Sequence, residues 1–401
     1  MTSSARCVPK LAVAASLALS LWSLQTWAGE SKDKPRPPPA RNVLVTAGSS
    51  TMVVDSKGSV WIWGAGRGSE RGTFPEREML SPTPERMQGL PGVVSLATGD
   101  HSVHTLALLE DGTVLSWGSN FSGQLGDGTT NPRPTRAPVV GLTDVVSVAV
   151  GGSSSLAVRG DGTVWAWGKN RCGETGGPPD EWTVVTPTQV QGLSDVVSIF
   201  ADRDLSAAVR QDGSLWVWGC TEDGSTAHQL RQVPGLTQIT RLAMSRFGLA
   251  AVRSDGTVWE WFVRDLPAGT PAQQLAGYTG AVDVAYSFYT LQVLRSDGTV
   301  WNQGENFAGE RGFPSEALSP PGPSQVPGLT GVVSLASEMY QQTVHALRAD
   351  GTAVGWGLNA YGMLGGGISP LQLELVQVPL PCHLKMQGLE AEGSHECSPE
   401  H

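Results

Sequence analysis

Charged residues are scarce in this chain: Asp, Glu, Lys and Arg make up 16% of it, against 50 glycines and 27 prolines. So little charge beside so much glycine argues against a helix-dominated fold and suits many short strands joined by turns. Long apolar runs are missing as well. The one at the start, Leu11 to Leu24, is about 14 residues where a spanning helix needs about 20, so no stable membrane insertion is expected after processing. A basic excess is also lacking, with 27 Lys and Arg against 37 Asp and Glu. Phosphate backbones are not attracted to such a chain, and nucleic acid is not an expected partner. Nor is there a Gly-x-Ser-x-Gly elbow, a His-Glu-x-x-His pair, a phosphate-binding Gly-x-x-x-x-Gly-Lys or an EF-hand loop. No catalytic residue, metal or cofactor is expected. Asp100 and His101 give no acid–base pair, because adjacent residues point apart.

What the chain does have is one eight-residue phrase, DGTVWAWG at Asp161 to Gly168, which returns in seven versions. Its glycine falls at Gly58, Gly112, Gly162, Gly213, Gly256, Gly298 and Gly351, in steps of 54, 50, 51, 43, 42 and 53 residues. Periods of that size mean stacked supersecondary units. Asp-Gly supplies the positive φ of a tight turn, and the alternation after it makes a strand. Trp165 and Trp167 share one face of that strand while Val164 and Ala166 take the other, so both faces call for burial between neighbouring sheets. Eleven of the twelve tryptophans beyond residue 28 lie in this column, the exception being Trp182. They are expected to act as packing between blades.

The ends read differently. Arg6 and Lys10 before the apolar run, then Thr26-Trp27-Ala28, mark residues 1–28 as a signal peptide cleaved after Ala28. Residues 29–41 form a proline-rich linker, and the expected location is exported, extracellular or periplasmic. Removal of the leader leaves 25 basic and 37 acidic residues, a surface charge that suits a dispersed monomer. Four cysteines remain, and an even number in an exported chain suggests disulfides. Cys172 and Cys220 both follow the Trp-Gly end of the third strand in adjacent units and are expected to pair; Cys382 and Cys397 would then staple the tail, residues 381–401. His383 and His395 lie in the same tail, at spacings that fit no common zinc pattern.

Around the central phrase each unit adds a first strand such as VVSVAVG (145–151), a second such as SLAVRGDG (155–162), and a short fourth such as PTQVQGL (187–193). Four antiparallel strands in each of seven units make an all-β, seven-bladed β-propeller over residues 42–380. The Asp-Gly-Thr-Val-Trp-Ala-Trp-Gly phrase, the Val-Val-Ser-Val-Ala-x-Gly strand and the loop kept at Asn120 to Thr129 resemble the regulator of chromosome condensation repeat family. The chain departs from that pattern at Gln303, where a Trp is expected, and at Phe262, where a Gly is expected. The two termini are expected to meet where the ring closes, in a blade the sequence does not single out.

In a four-stranded meander the turn between strands one and two and the loop between strands three and four share a rim, and the Asp-Gly turns face the other. On the first rim fall Arg246, Phe247, Tyr286, Phe288, Tyr289 and Tyr340 from the turns, and Phe74, Phe121, Trp182, Phe307 and Tyr361 from the loops. Exposed aromatic and arginine side chains on a rigid scaffold are what protein-binding hot spots are made of. Arg246, Phe247, Tyr286, Phe288, Tyr289, Tyr340, Trp182 and Tyr361 are therefore the candidate partner-binding residues. Phe121 and Phe307, each in an Asn-Phe-x-Gly context, are expected to fold back onto their blades. The resemblance implies a non-enzymatic binder of a protein partner. In export and rim character the chain is similar to exported bacterial members of the family such as the beta-lactamase inhibitory protein. Two alternatives remain open: guanine nucleotide exchange, known in nuclear members, and a hydrolase or lyase on a propeller scaffold.

Overall fold

The computed structural model describes residues 43–378 except 48–49, 56, 68–77, 91, 99–103, 178–180, 221–225, 246–247, 263–269, 288, 314–321, 339–341, 360–361 and 365–370. Residues 1–42, where a leader and a linker are expected, and residues 379–401 with Cys382 and Cys397 lie outside the described residues. Seven sheets of four antiparallel strands follow one another, each built from consecutive strands. Blade 3 shows the plan: Val145–Val150, Ser154–Arg159, Val164–Lys169 and Thr183–Gln189 run from the axis outward. First strands of neighbouring blades pack on one another around the whole ring and line the central channel.

Because every sheet is complete in itself, none of the blades is composite. The ring closes through side chains instead. Trp63 Nε1 in blade 1 donates to the Met363 carbonyl of blade 7 at 2.5 Å, as does Thr51 Oγ1 at 3.2 Å. Val53, Trp63, Leu347, Ala353 and Val378 bury one another in the same seam.

The seam is one instance of a repeated joint. Trp167 of blade 3 donates from Nε1 to the Gln124 carbonyl of blade 2, Trp218 of blade 4 to Glu174 of blade 3, and Trp356 of blade 7 to Glu310 of blade 6, each at 2.8 Å. These indoles are fully buried. On the opposite face Val164 and Ala166 pack against Trp218 of the next blade, so the third strand is sealed on both sides. The approach is close enough to dictate sequence: a Cβ at Gly126 would lie 2.8 Å from Trp167 Nε1.

The two tryptophans of each phrase nevertheless differ. Trp61, Trp165, Trp216, Trp259 and Trp301 are only half-buried. Four of them lie under the arginine that ends the second strand, with Arg159, Arg210, Arg253 and Arg295 at 5.6, 4.6, 3.8 and 4.0 Å from the ring centroids. The second indole of the phrase is the one sunk wholly into the joint between blades; the first packs against the edge of the same clusters and, in blades 3 to 6, carries an arginine over its ring on the Asp-Gly rim.

Blades 5 and 6, the irregular units, show compensation. Where every other third strand carries a glycine after its fourth position, blade 5 has Phe262, and its partner across the ladder is Gly248. A Cβ at Gly248 would sit 2.1 Å from the Trp261 carbonyl oxygen, so the glycine has moved to the facing strand. Blade 6, with Gln303 in place of the second tryptophan, buries a polar set. Arg311, 1% exposed, donates from Nε to Asn302 Oδ1 at 3.0 Å and from an Nη to Ser324 Oγ at 2.6 Å. Gln292 donates to the Glu310 carbonyl at 2.7 Å.

Candidate partner-binding rim

Four loops between third and fourth strands are built to one pattern. In each, an asparagine turns inward and its Oδ1 accepts the backbone N–H five residues on: Asn120 from Leu125, Asn170 from Thr175, Asn306 from Arg311 and Asn359 from Leu364, at 2.9 to 3.1 Å. The buried amide holds the loop open like a strut. Two residues before the carbonyl that receives the next blade's indole, its backbone N–H is capped by the side chain of the fourth residue after the asparagine. Gln124 accepts from Ser122, Glu174 from Cys172 and Glu310 from Ala308. Burial raises the carboxyl pKa of both Glu174 and Glu310.

This geometry overturns one expectation. Phe121 is 77% and Phe307 62% exposed, so neither folds back onto its blade. The asparagine before each is committed to the loop interior, and the residue after it is turned to solvent. Arg171 occupies the same place in blade 3 and is also exposed. It lies 5.8 Å over the ring of Trp182, which leaves the far end of the same loop and is 67% exposed.

Of the residues expected to bind a partner, Trp182, Tyr286 and Tyr289 are described; Arg246, Phe247, Phe288, Tyr340 and Tyr361 lie outside the described residues, as do Phe74, Asp100 and His101. Tyr289 is 41% exposed at the turn of blade 6. Tyr286 is not an exposed anchor. It half-buries at the channel, donating its hydroxyl to Glu260 Oε1 of blade 5 at 2.6 Å, while Ser337 Oγ of blade 7 donates to its carbonyl. Burial holds the Tyr286 phenol well above its ordinary pKa.

At the end of the channel on this rim the structure leaves a cavity of about 320 Å³. Thr98, Val150, Phe200, Met244, Tyr286 and Ser337 line it, one from each of blades 2 to 7. Exposed Phe121, Trp182, Tyr289 and Phe307 belong to turns and loops of this same rim, opposite the Asp-Gly turns, and none of the four lines the recess itself. Arg203, in the blade 4 turn, has φ of 46°, and its carbonyl accepts the Gly152 N–H of blade 3 at 2.8 Å.

Cys172 and Cys220 are joined in a disulfide that links the blade 3 loop to the end of the third strand of blade 4. Asp204 lies beside the pair and is held by Lys169 at 2.6 Å. The sulfurs are thus bonded to each other instead of being available to a metal. The described histidines of the second strands are structural: His104 faces Ser155 Oγ at 2.8 Å and His345 the Met363 carbonyl at 3.0 Å. Burial lowers their pKa values to about 3 and about 4, so both are neutral.

Phe121, Phe307 and Arg171 were the residues that sequence pattern left out of the site. The signal for them was positional: each follows the strut asparagine, whose side chain takes the loop interior.

The chain matches the regulator of chromosome condensation (RCC1) repeat at residues 111–158 and 161–209, and a second form of that repeat at 93–124 and 145–174. It is 32% identical over 187 residues to the human E3 ubiquitin-protein ligase HERC2, covering 45% of this chain and 4% of that one. It is 34% identical over 196 residues to Protein pim1 of Schizosaccharomyces pombe, 47% of this chain and 29% of that one. The chain thus spans well under half the length of these relatives. Among solved structures it is similar to Prp20p of Saccharomyces cerevisiae, described with its binding to Gsp1p and histones, at a TM-score of 0.67 and 22% identity over 80% of this chain and 85% of that one. Fold and strand order agree with that likeness: the chain is a seven-bladed propeller, matched by the regulator of chromosome condensation repeat at residues 111–158 and 161–209.

Proposed function

We propose that this chain is an exported, non-enzymatic protein-binding propeller that grips its partner with the rim formed by the third-to-fourth-strand loops. The observation that carries the reading is the set Phe121, Trp182, Tyr289 and Phe307, exposed together on that rim. Three of them are held by loops whose backbones are braced by buried asparagines. A large apolar side chain exposed on a rigid support loses little freedom on binding, which is the condition for a hot spot. The recess at the centre of the rim gives such a partner a place to insert a side chain. Export accords with the leader-like first 28 residues and with an oxidised cysteine pair, since disulfides persist outside the cytosol.

The test is retention of a crosslinked partner from the native culture by three proteins: wild type, a Phe121→Ala, Trp182→Ala, Phe307→Ala variant, and a Gln211→Ala control on the opposite rim. Hot-spot residues each contribute about 2 kcal/mol or more, so the triple variant should lose at least about 100-fold in affinity while the control binds as wild type. Equal recovery by all three would sink the reading.

A further inference from the structure

We propose that the Cys172–Cys220 disulfide is a redox switch on the binding rim: oxidised, it fixes the Arg171–Trp182 platform for a partner, and reduction releases it. The inference rests on the reading of the rim given above.

The disulfide is not what joins blades 3 and 4. That junction already has the indole of Trp218 and the hydroxyl of Ser206 donating to the Glu174 carbonyl, at 2.8 and 3.3 Å. The junction of blades 2 and 3 is made the same way, with Trp167 and Ser155 both donating to the Gln124 carbonyl at 2.8 Å, and has no cysteine. Blades 6 and 7 likewise meet through Trp356 and Glu310. What the bond adds in blade 3 is a fixed position for the outer part of the loop.

That part of the loop carries the platform. Asn170 donates from its backbone N–H to the Trp182 carbonyl at 3.0 Å and from Nδ2 to the Glu181 carbonyl at 2.9 Å, so the two ends of the loop are tied together. Arg171, next in the chain, lies over the Trp182 ring, and Cys172 follows it directly. Phe121 and Phe307 need no such clamp, being single side chains at the same loop position. Arg171 and Trp182 come from opposite ends of their loop, and to the hydrogen bonds at Asn170 and Glu174 the disulfide adds a covalent hold on the residue next to Arg171. Cys172 is half-buried, so a reductant has a side of the bond to attack.

The step balances simply. A dithiol, small or carried by a protein, attacks one sulfur; the S–S bond breaks, Cys172 and Cys220 take up two electrons and two protons as thiols, and the dithiol leaves as a disulfide. With Cys172 released, Arg171 departs from Trp182, and the indole loses its orientation while the blade joints stay intact.

Two measurements on the full chain test this. In the first, amide hydrogen exchange is compared between oxidised protein and protein held in a phosphine reductant. Residues 170–176 and 181–183 should exchange at least tenfold faster after reduction, with the second strand, Ser154–Arg159, unchanged and the change reversed on reoxidation. Unchanged exchange at 170–176 would overturn the switch, and so would loss of protection throughout blades 3 and 4. In the second, retention of the crosslinked partner is measured for oxidised protein, reduced protein and Trp182→Ala. Reduction should weaken retention at least tenfold and Trp182→Ala by as much or more. Full retention after reduction, with Trp182→Ala impaired, would refute the switch and leave the binding rim standing; full retention by Trp182→Ala would remove the rim reading itself. Reversible reduction of the wild-type chain keeps the test valid should a Cys172→Ser, Cys220→Ser variant fail to fold.

Discussion

Replacing Trp167 with Phe should cost the propeller several times more stability than the same change two residues away at Trp165. Trp167 is fully buried between blades 2 and 3, and its indole N–H donates to the Gln124 carbonyl at 2.8 Å. Phenylalanine leaves the volume of the lost ring unfilled, a loss of about 2 kcal/mol in a core that relaxes only partly. The hydrogen bond adds about 1 kcal/mol, and no more, because Ser155 Oγ still donates to the same carbonyl at 2.8 Å. The sum is roughly 3 kcal/mol for Trp167→Phe. Trp165 is half-buried beneath Arg159, and its indole bonds only to Thr163 Oγ1 at 3.1 Å, so Trp165→Phe should cost roughly 1 kcal/mol. Denaturant unfolding followed by circular dichroism separates the two through their midpoints, provided the slope stays the same. Equal losses, or a larger loss at Trp165, would refute the assignment of the second indole as the joint between blades.

Three further outcomes follow from the same structure. His104 and His345 have folded pKa values of about 3 and about 4, below the ordinary 6.5, so their contribution is present above pH 6.5 and is lost as the pH falls through 4. Each should give a slope of about 1.4 kcal/mol per pH unit over that window, and His345→Gln, which copies Gln292 of blade 6, should remove one of the two slopes in a pH series of unfolding midpoints. Glu310 has its pKa raised by burial, so its charged form opposes folding and stability is lost as the pH rises through its folded value. Glu310→Gln, the residue blade 2 uses as Gln124, should therefore raise the melting temperature at pH 8 and change it little at pH 4; a fall at pH 8 would contradict this. Gly248→Ser should be destabilising by more than about 2 kcal/mol, since its Cβ would sit 2.1 Å from the Trp261 carbonyl, and adding Phe262→Gly should restore most of the loss in thermal melts.

Architecture was legible in the sequence because the same constraint is written seven times. The turn glycine and the alternation after it recur in all seven phrases and the Trp-Gly end in five of them, and the blade boundaries fall where the repeats place them. The pairing of Cys172 with Cys220 was legible for the same reason, as both follow Trp-Gly in adjacent repeats. Position within a repeat could not reveal contacts that depend on the neighbouring blade. Trp165 and Trp167 look alike in the sequence, yet one meets an arginine and the other a carbonyl of the preceding loop. Tyr286 resembled a rim residue, but Glu260 of blade 5 draws its hydroxyl into the seam. Phe121 and Phe307 went the opposite way because the asparagine before them, and not the phenylalanine, fills the loop.

The most direct test of the binding rim uses a photoreactive amino acid placed singly at Phe121, at Phe307, and at Gln211 and Asp297 on the opposite rim, with each protein expressed in its native culture. Adducts to one partner protein from positions 121 and 307, and none from 211 and 297, are the predicted result. The same partner captured equally from both rims, or only through 211 and 297, would contradict the account.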